Sequence, residues 1–259
     1  MREFFGFGGY TRPAEGYLSW QHLTFVSLLV AIMLALAIWL GCKYRTRDAR
    51  AQNRVLIVSA ILIDSIELFK IVLLCIRHEN PMHWIYNLPL FLCSIQLISL
   101  PLAAFSRGRL RDAALDFVFI FGLLGALFGT YAAGNNYAAF PVLSFDNVVS
   151  GLTHTIAGFA SLYIGITGMA SMKKKSIPTT FAILLGFCAA AYIVNLIWPC
   201  NYMFLMQGDG TPYDILYNLV SGSPVLYPLL VVALFLIYIA AFYAVYYGCT
   251  RRRRISAAR

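Results

Sequence analysis

The chain has 259 residues, 60% of them hydrophobic and 12% charged, with a formal net charge of +9 at pH 7. Soluble domains carry about 25% charged residues because their surfaces face water, so this composition excludes an ordinary soluble enzyme and predicts a surface that faces lipid. The length suits one membrane-embedded domain spanning 1–259, with no room for a sizeable soluble one.

A membrane helix needs about 20 mainly apolar residues to cross the hydrocarbon core. The expected fold is all-α, a polytopic bundle of about seven transmembrane helices running roughly over 20–41, 55–76, 85–105, 113–133, 149–170, 177–198 and 225–247. A membrane barrel is excluded, because these runs are continuously apolar and do not alternate. The first stretch opens on Gln21 and His22. It is too long for a cleavable signal peptide, and Lys43, Arg45, Arg47, Arg50 and Arg54 follow it. The second carries Asp64, Glu67 and Lys70 at three-residue steps, a spacing that puts neighbours on nearly one face and lets Glu67 and Lys70 neutralise each other. The third carries Cys93 and Gln96 after Asn87-Leu88-Pro89 and is followed by Arg107, Arg109 and Arg111.

Gly125 and Gly129 in the fourth stretch have the spacing that permits close helix packing. His154 lies in the fifth, which Lys173, Lys174 and Lys175 follow. The sixth ends at Asn195, with Asn201 and Tyr202 just beyond, and Arg251 to Arg254 close the seventh. Most of the chain's 20 Lys and Arg thus fall after alternate spans. Positive-inside asymmetry then predicts an outer N-terminus and a cytoplasmic C-terminus in a cell membrane. Trp20, Trp84 and Trp198 sit at outer span ends, where interfacial anchors belong. In a soluble chain the basic excess would suggest nucleic acid; here orientation accounts for it, and no nucleic-acid partner is expected.

The six cysteines form no CxxC pair and are scattered over apolar segments, so neither a disulfide framework nor a zinc site is expected. No metal and no cofactor are expected either. Polar groups within a span are costly and mark function by default. At helical rise, Cys93 would lie about 12 Å below the outer edge, His154 about 8 Å and Glu67 about 14 Å. His22, Asn195 and Asn201 would lie nearer that surface. This convergence in the outer half predicts a cavity open to the outer leaflet or outer water, with Gln96, Asn195, Asn201, Tyr202, His22 and Glu67 supporting or binding substrate.

A thiol becomes a nucleophile when an imidazole takes its proton. A Cys93–His154 pair facing a leaflet would attack a lipid ester and hold the acyl group as a thioester. The competing class is a transporter or proton-coupled carrier using Asp64, Glu67, Lys70 and His154, although no internal repeat of the carrier type is evident. A seven-helix receptor is disfavoured: the last span has no Schiff-base Lys, and no Glu/Asp-Arg-Tyr motif follows the third.

Leu88-Pro-Leu-Phe-Leu-Cys93, His154 at the start of the fifth span, and Asn195 followed by Asn201-Tyr-Met-Phe-Leu205 resemble the YwaF-like family, which includes transmembrane protein 164. The resemblance covers essentially the whole chain. It departs from the pattern at Phe91, where a His often stands, and at Met206-Gln207-Gly208, where Lys-Pro often follows. The family, which has bacterial-type members, is described as acyltransferases. The resemblance therefore implies acyl transfer from a membrane phospholipid onto a lysophospholipid, with Cys93 as nucleophile and His154 as base.

Overall fold

The computed structural model describes residues 2–170 and 172–257. Among the described residues the chain is all-helical, with α1 at Trp20–Tyr44, α2 at Ala49–Arg77, α3 at Gln96–Phe105, α4 at Gly108–Tyr131, α5 at Gly134–Ala139, α6 at Phe145–Thr167, α7 at Ile177–Ile197, α8 at Asp214–Leu219 and α9 at Leu226–Ala257. By length and composition, five segments among the described residues suffice to cross a membrane: 20–44, 108–139, 145–167, 174–197 and 226–250. The protein is thus an integral membrane helix assembly. At 29 residues α2 is also long enough, but its apolar stretch carries Asp64, Glu67 and Lys70.

The helix expected over 85–105 is not continuous. A 3-10 helix occupies Pro81–Asn87, residues 88–95 are irregular, and α3 begins only at Gln96 and runs for 10 residues. Pro89 supplies the reason. It has no N–H to donate, and it forces Leu88 into extended backbone at ψ 148°. The depth expected for Cys93 assumed helical rise through this stretch, and it falls with the helix.

The chain divides into two compact units, Met1–Ser171 and Met172–Arg259. In the first, α6 is the central element and packs against α1, α2, α3 and α4. Its start is set by Ser144, whose hydroxyl accepts from the Asn147 N–H at 3.3 Å, with Asp146 in the first turn. Its end is set by Gly168, which takes the left-handed conformation at φ 74°. Within lipid the hydrophobic effect does not drive one helix against another, so close packing of small residues must. Ala157, Ala160 and Ile164 of α6 are buried against Ala60, Ala103 and Ala114 of α2, α3 and α4. In the second unit α7 packs on α9, and the Thr180 and Tyr243 hydroxyls bond at 3.3 Å. Trp20 is 72% exposed, as an interfacial anchor requires.

Candidate functional site

The irregular stretch before α3 carries Cys93. Ser94 shapes it: its hydroxyl accepts from the Phe91 N–H at 3.0 Å and donates to the Phe91 carbonyl at 3.2 Å. The Ile95 N–H then reaches back to the same carbonyl at 2.9 Å, so the chain is turning before α3 formally starts. The backbone N–H groups of Cys93 and Ser94 lie near the Cys93 sulfur. Non-helical backbone at membrane depth is tolerated where protein buries it or where it lines a cavity.

His154 reaches the same point from the third turn of α6. The thiol and the imidazole lie close enough to couple in charge and hydrogen bonding. The contact is nonetheless not a well-aligned hydrogen bond, and buried Nε2 has no other protein partner. Nδ1 stands 2.6 Å from the Ser150 carbonyl oxygen, with the Ser150 hydroxyl at 3.5 Å. A carbonyl only accepts, so Nδ1 must carry the proton. In the neutral ring Nε2 is then the free base, and it is the nitrogen available to Cys93.

His22 makes a useful contrast. Its Nδ1 accepts from the Leu18 N–H at 3.2 Å, and its Nε2 donates to the Thr130 carbonyl at 3.1 Å. Both nitrogens are committed, and the ring is fully buried against Tyr137 with centroids 3.9 Å apart. His22 therefore fastens the start of α1 to the end of α4 and has no nitrogen left for chemistry.

α4 makes the room for the pair. A Cβ built on Gly129 would coincide with the His154 ring, and one on Gly125 would stand 3.4 Å from Cys93 Cα and Cβ. Gly125 and Gly129 were expected to let helices pack closely; what they face is the irregular stretch at Cys93 and the His154 ring.

α2 adds charge beside the site. Buried Glu67 forms an ion pair with Lys70, and Asp64 lies within charge range of Glu67 with one carboxylate oxygen unpartnered. Lys70 is near enough to His154 for their charges to interact. Gln96, fully buried in the first turn of α3, accepts from the Ser99 hydroxyl at 2.9 Å through Oε1, while its Nε2 has no partner. Sequence reasoning missed Ser150, although its four-residue offset from His154 is the spacing at which helix neighbours meet. It also missed Ser94.

Near one end of the unit, Arg77 at the end of α2 holds Asp146 at the start of α6 through two bonds of 2.7 and 3.0 Å. The Tyr10 hydroxyl donates to the same carboxylate at 2.5 Å. The segment before α1 is tied down further where Arg77 donates to the Phe5 carbonyl at 3.3 Å and the Phe145 N–H donates to the Phe4 carbonyl at 2.9 Å. Burial, then the bond to Asp146, pushes the Tyr10 hydroxyl up to about 12.

Asn195, Asn201 and Tyr202 belong to the second unit. The Asn195 side chain clamps residue 202, donating to its carbonyl at 3.0 Å and accepting from its N–H at 2.8 Å. Asn201 donates to the Gln207 carbonyl at 2.8 Å and to Asp209 at 2.6 Å, and accepts from the Met206 N–H at 2.9 Å. Just after Tyr202, Met203 and Phe204 both sit at φ 55°, a region residues other than Gly rarely adopt. The Asn-Tyr-Met-Phe-Leu string is thus a strained turn held by two asparagines. All six cysteines are free thiols.

No curated protein matches the chain significantly. No solved structure does so either. The TMEM164 family profile matches residues 17–246, from just before α1 to well into α9. With the broken segment at Cys93, His154 and the asparagine-held turn all inside that match, the chain belongs to the TMEM164 family.

Proposed function

We propose that this chain is a lipid acyltransferase that moves an acyl chain from a phospholipid to a lysophospholipid through a thioester on Cys93. The observation that carries the reading is the fixed ring of His154. With Nδ1–H spent on the Ser150 carbonyl, Nε2 is the basic nitrogen left for the thiol. His154 Nε2 takes the Cys93 proton, and the sulfur attacks the ester carbonyl carbon of the donor lipid. The resulting oxyanion collapses, the C–O bond breaks, and the departing lysophospholipid oxygen takes the proton from His154. In the second half His154 removes a proton from the acceptor hydroxyl, whose oxygen attacks the thioester, and the C–S bond breaks to release a thiolate that takes the proton back from His154. Atoms and protons balance over the cycle, and no cofactor is consumed.

The proposed topology crosses the bilayer about seven times. α2 and the broken 81–105 segment supply the two crossings beyond the five long apolar ones. The N-terminus is outside and the C-terminus cytoplasmic, which puts Cys93 and His154 in the outer half. The basic loops after α1, α3 and α6 support that orientation. Purified protein given a phospholipid with a labelled acyl chain and an unlabelled lysophospholipid is expected to move label between them. Cys93→Ala abolishes the transfer, and His154→Ala lowers it by about 100-fold or more. Full transfer by Cys93→Ala would discard the reading.

One observation favours a second reading, a proton-coupled carrier. The unpartnered Asp64 oxygen, the Glu67–Lys70 pair and His154 put titratable groups in sequence along α2 and into α6. Proton uptake by reconstituted vesicles that Glu67→Gln removes and Cys93→Ala leaves intact would favour the carrier over the enzyme.

A further inference from the structure

We propose that Gln96 is a catalytic residue whose Nε2 donates a hydrogen bond to the ester carbonyl oxygen as that oxygen gains negative charge under attack by Cys93. The proposal rests on the acyl-transfer reading above and adds the group that stabilises its oxyanion.

Gln96 is fully buried, and only one end of its amide is used: Oε1 accepts from the Ser99 hydroxyl at 2.9 Å and Nε2 meets no acceptor. A buried amide donor without an acceptor is costly, so structural glutamines engage both ends. An apolar side chain of equal length would fill the same space without that cost. Nor does Ser99 depend on Gln96 for an acceptor, since a helix serine can donate to the carbonyl four residues back, here that of Ile95.

Position supplies the rest. Gln96 follows Cys93 by three residues on backbone that is already turning helically, as the Ile95-to-Phe91 and Leu97-to-Ser94 bonds at 2.9 and 3.0 Å record. Residues three apart on such backbone share a side. The N–H groups of Cys93 and Ser94 lie near the sulfur. When the sulfur bonds to the carbonyl carbon, the π electrons of that carbonyl move onto its oxygen. A donor from the same turn then meets the new charge beside the nucleophile, where fixed donors in a water-poor site act most strongly. His154 stands on the other side of the reaction, moving the proton.

Gln96→Met keeps length and volume and removes the donor. Three quantities are compared with wild type: kcat and KM for acyl transfer between lipids, the rate at which a membrane-permeant maleimide alkylates Cys93, and the melting temperature. The expected result is a kcat about 100-fold lower, with KM and Cys93 alkylation unchanged and the melting temperature equal or higher. A kcat equal to that of an active wild type overturns the role of Gln96 and leaves acyl transfer standing. So does a loss of kcat matched by slower alkylation or a lower melting temperature, since Gln96 would then be holding the fold. A wild type that transfers no acyl chain overturns this proposal and the acyl-transfer reading together.

Discussion

Gly129 and His154 touch so closely that a methyl group on the glycine would occupy the imidazole's own place. One turn earlier, Gly125 faces Cys93 more loosely, with a built Cβ at an ordinary contact distance of 3.4 Å from its Cα and Cβ. Two glycines one helical turn apart on α4 therefore form the wall against which Cys93 and His154 are set. α4 is packed closely on α6 beyond this point as well: a Cβ on Gly122 would lie 2.7 Å from the Ala157 carbonyl oxygen.

Gly129→Ala is expected to displace the His154 ring, breaking its alignment with Ser150 and Cys93. Forcing a methyl into a packed site costs about 1–3 kcal/mol, and acyl transfer should be lost along with it. Gly186→Ala, on α7 where nothing stands within 4 Å of the new methyl, is the control and should leave activity unchanged. Equal activity in the two variants would show that the glycine wall does not position His154.

Glu67 and Lys70 are expected to depend on each other. Removing one partner of a buried pair strands the other charge, whereas removing both does not. Glu67→Gln should then lower the melting temperature more than the Glu67→Gln, Lys70→Met double variant does. Strictly additive losses in the double-mutant cycle would mean that the pair contributes no coupling.

Tyr10 predicts an alkaline weakness in the segment before α1. Its hydroxyl is held neutral up to about 12 in the folded protein, above its ordinary value near 10. The stabilisation is fully present below about 10 and is lost as pH rises through about 12. Between pH 9 and pH 11 the melting temperature of wild type should fall faster than that of Tyr10→Phe. Parallel curves would remove Tyr10 from the account.

The orientation can be read by labelling single cysteines in a Cys-free background. One placed between Gly134 and Asn147 should react with an impermeant reagent in intact cells, and one at Lys174 only after lysis. The reverse pattern would invert the topology and move the site to the cytoplasmic half.

Much of this was legible in the sequence because membrane physics leaves few choices. Backbone in lipid must satisfy its own hydrogen bonds, so long apolar runs such as Leu226 to Tyr247 are helices. Ionisable groups within spans mark function, which singled out Glu67, Lys70 and His154. The break before α3 was not legible. Pro89 stood in plain view, but apolar residues continue on both sides of it, and composition does not reveal which backbone groups the protein will satisfy. The distinction between His22 and His154 was also hidden, since it depends on carbonyls brought in by packing. Asn195 and Asn201 were singled out beside the reactive residues, yet their side chains are engaged in holding the turn at Met203 and Phe204. A hydrogen bond to a backbone seven residues away leaves no periodic trace.

Intact-protein mass measurement shows whether Cys93 carries the acyl chain. Wild type mixed with phospholipid and no acceptor should gain the mass of one acyl chain on Cys93. Neutral hydroxylamine should remove it, and added lysophospholipid should discharge it into a new diacyl lipid. An active wild type that never shows the adduct, or an adduct that persists in Cys93→Ala, would mean that Cys93 does not carry the acyl chain.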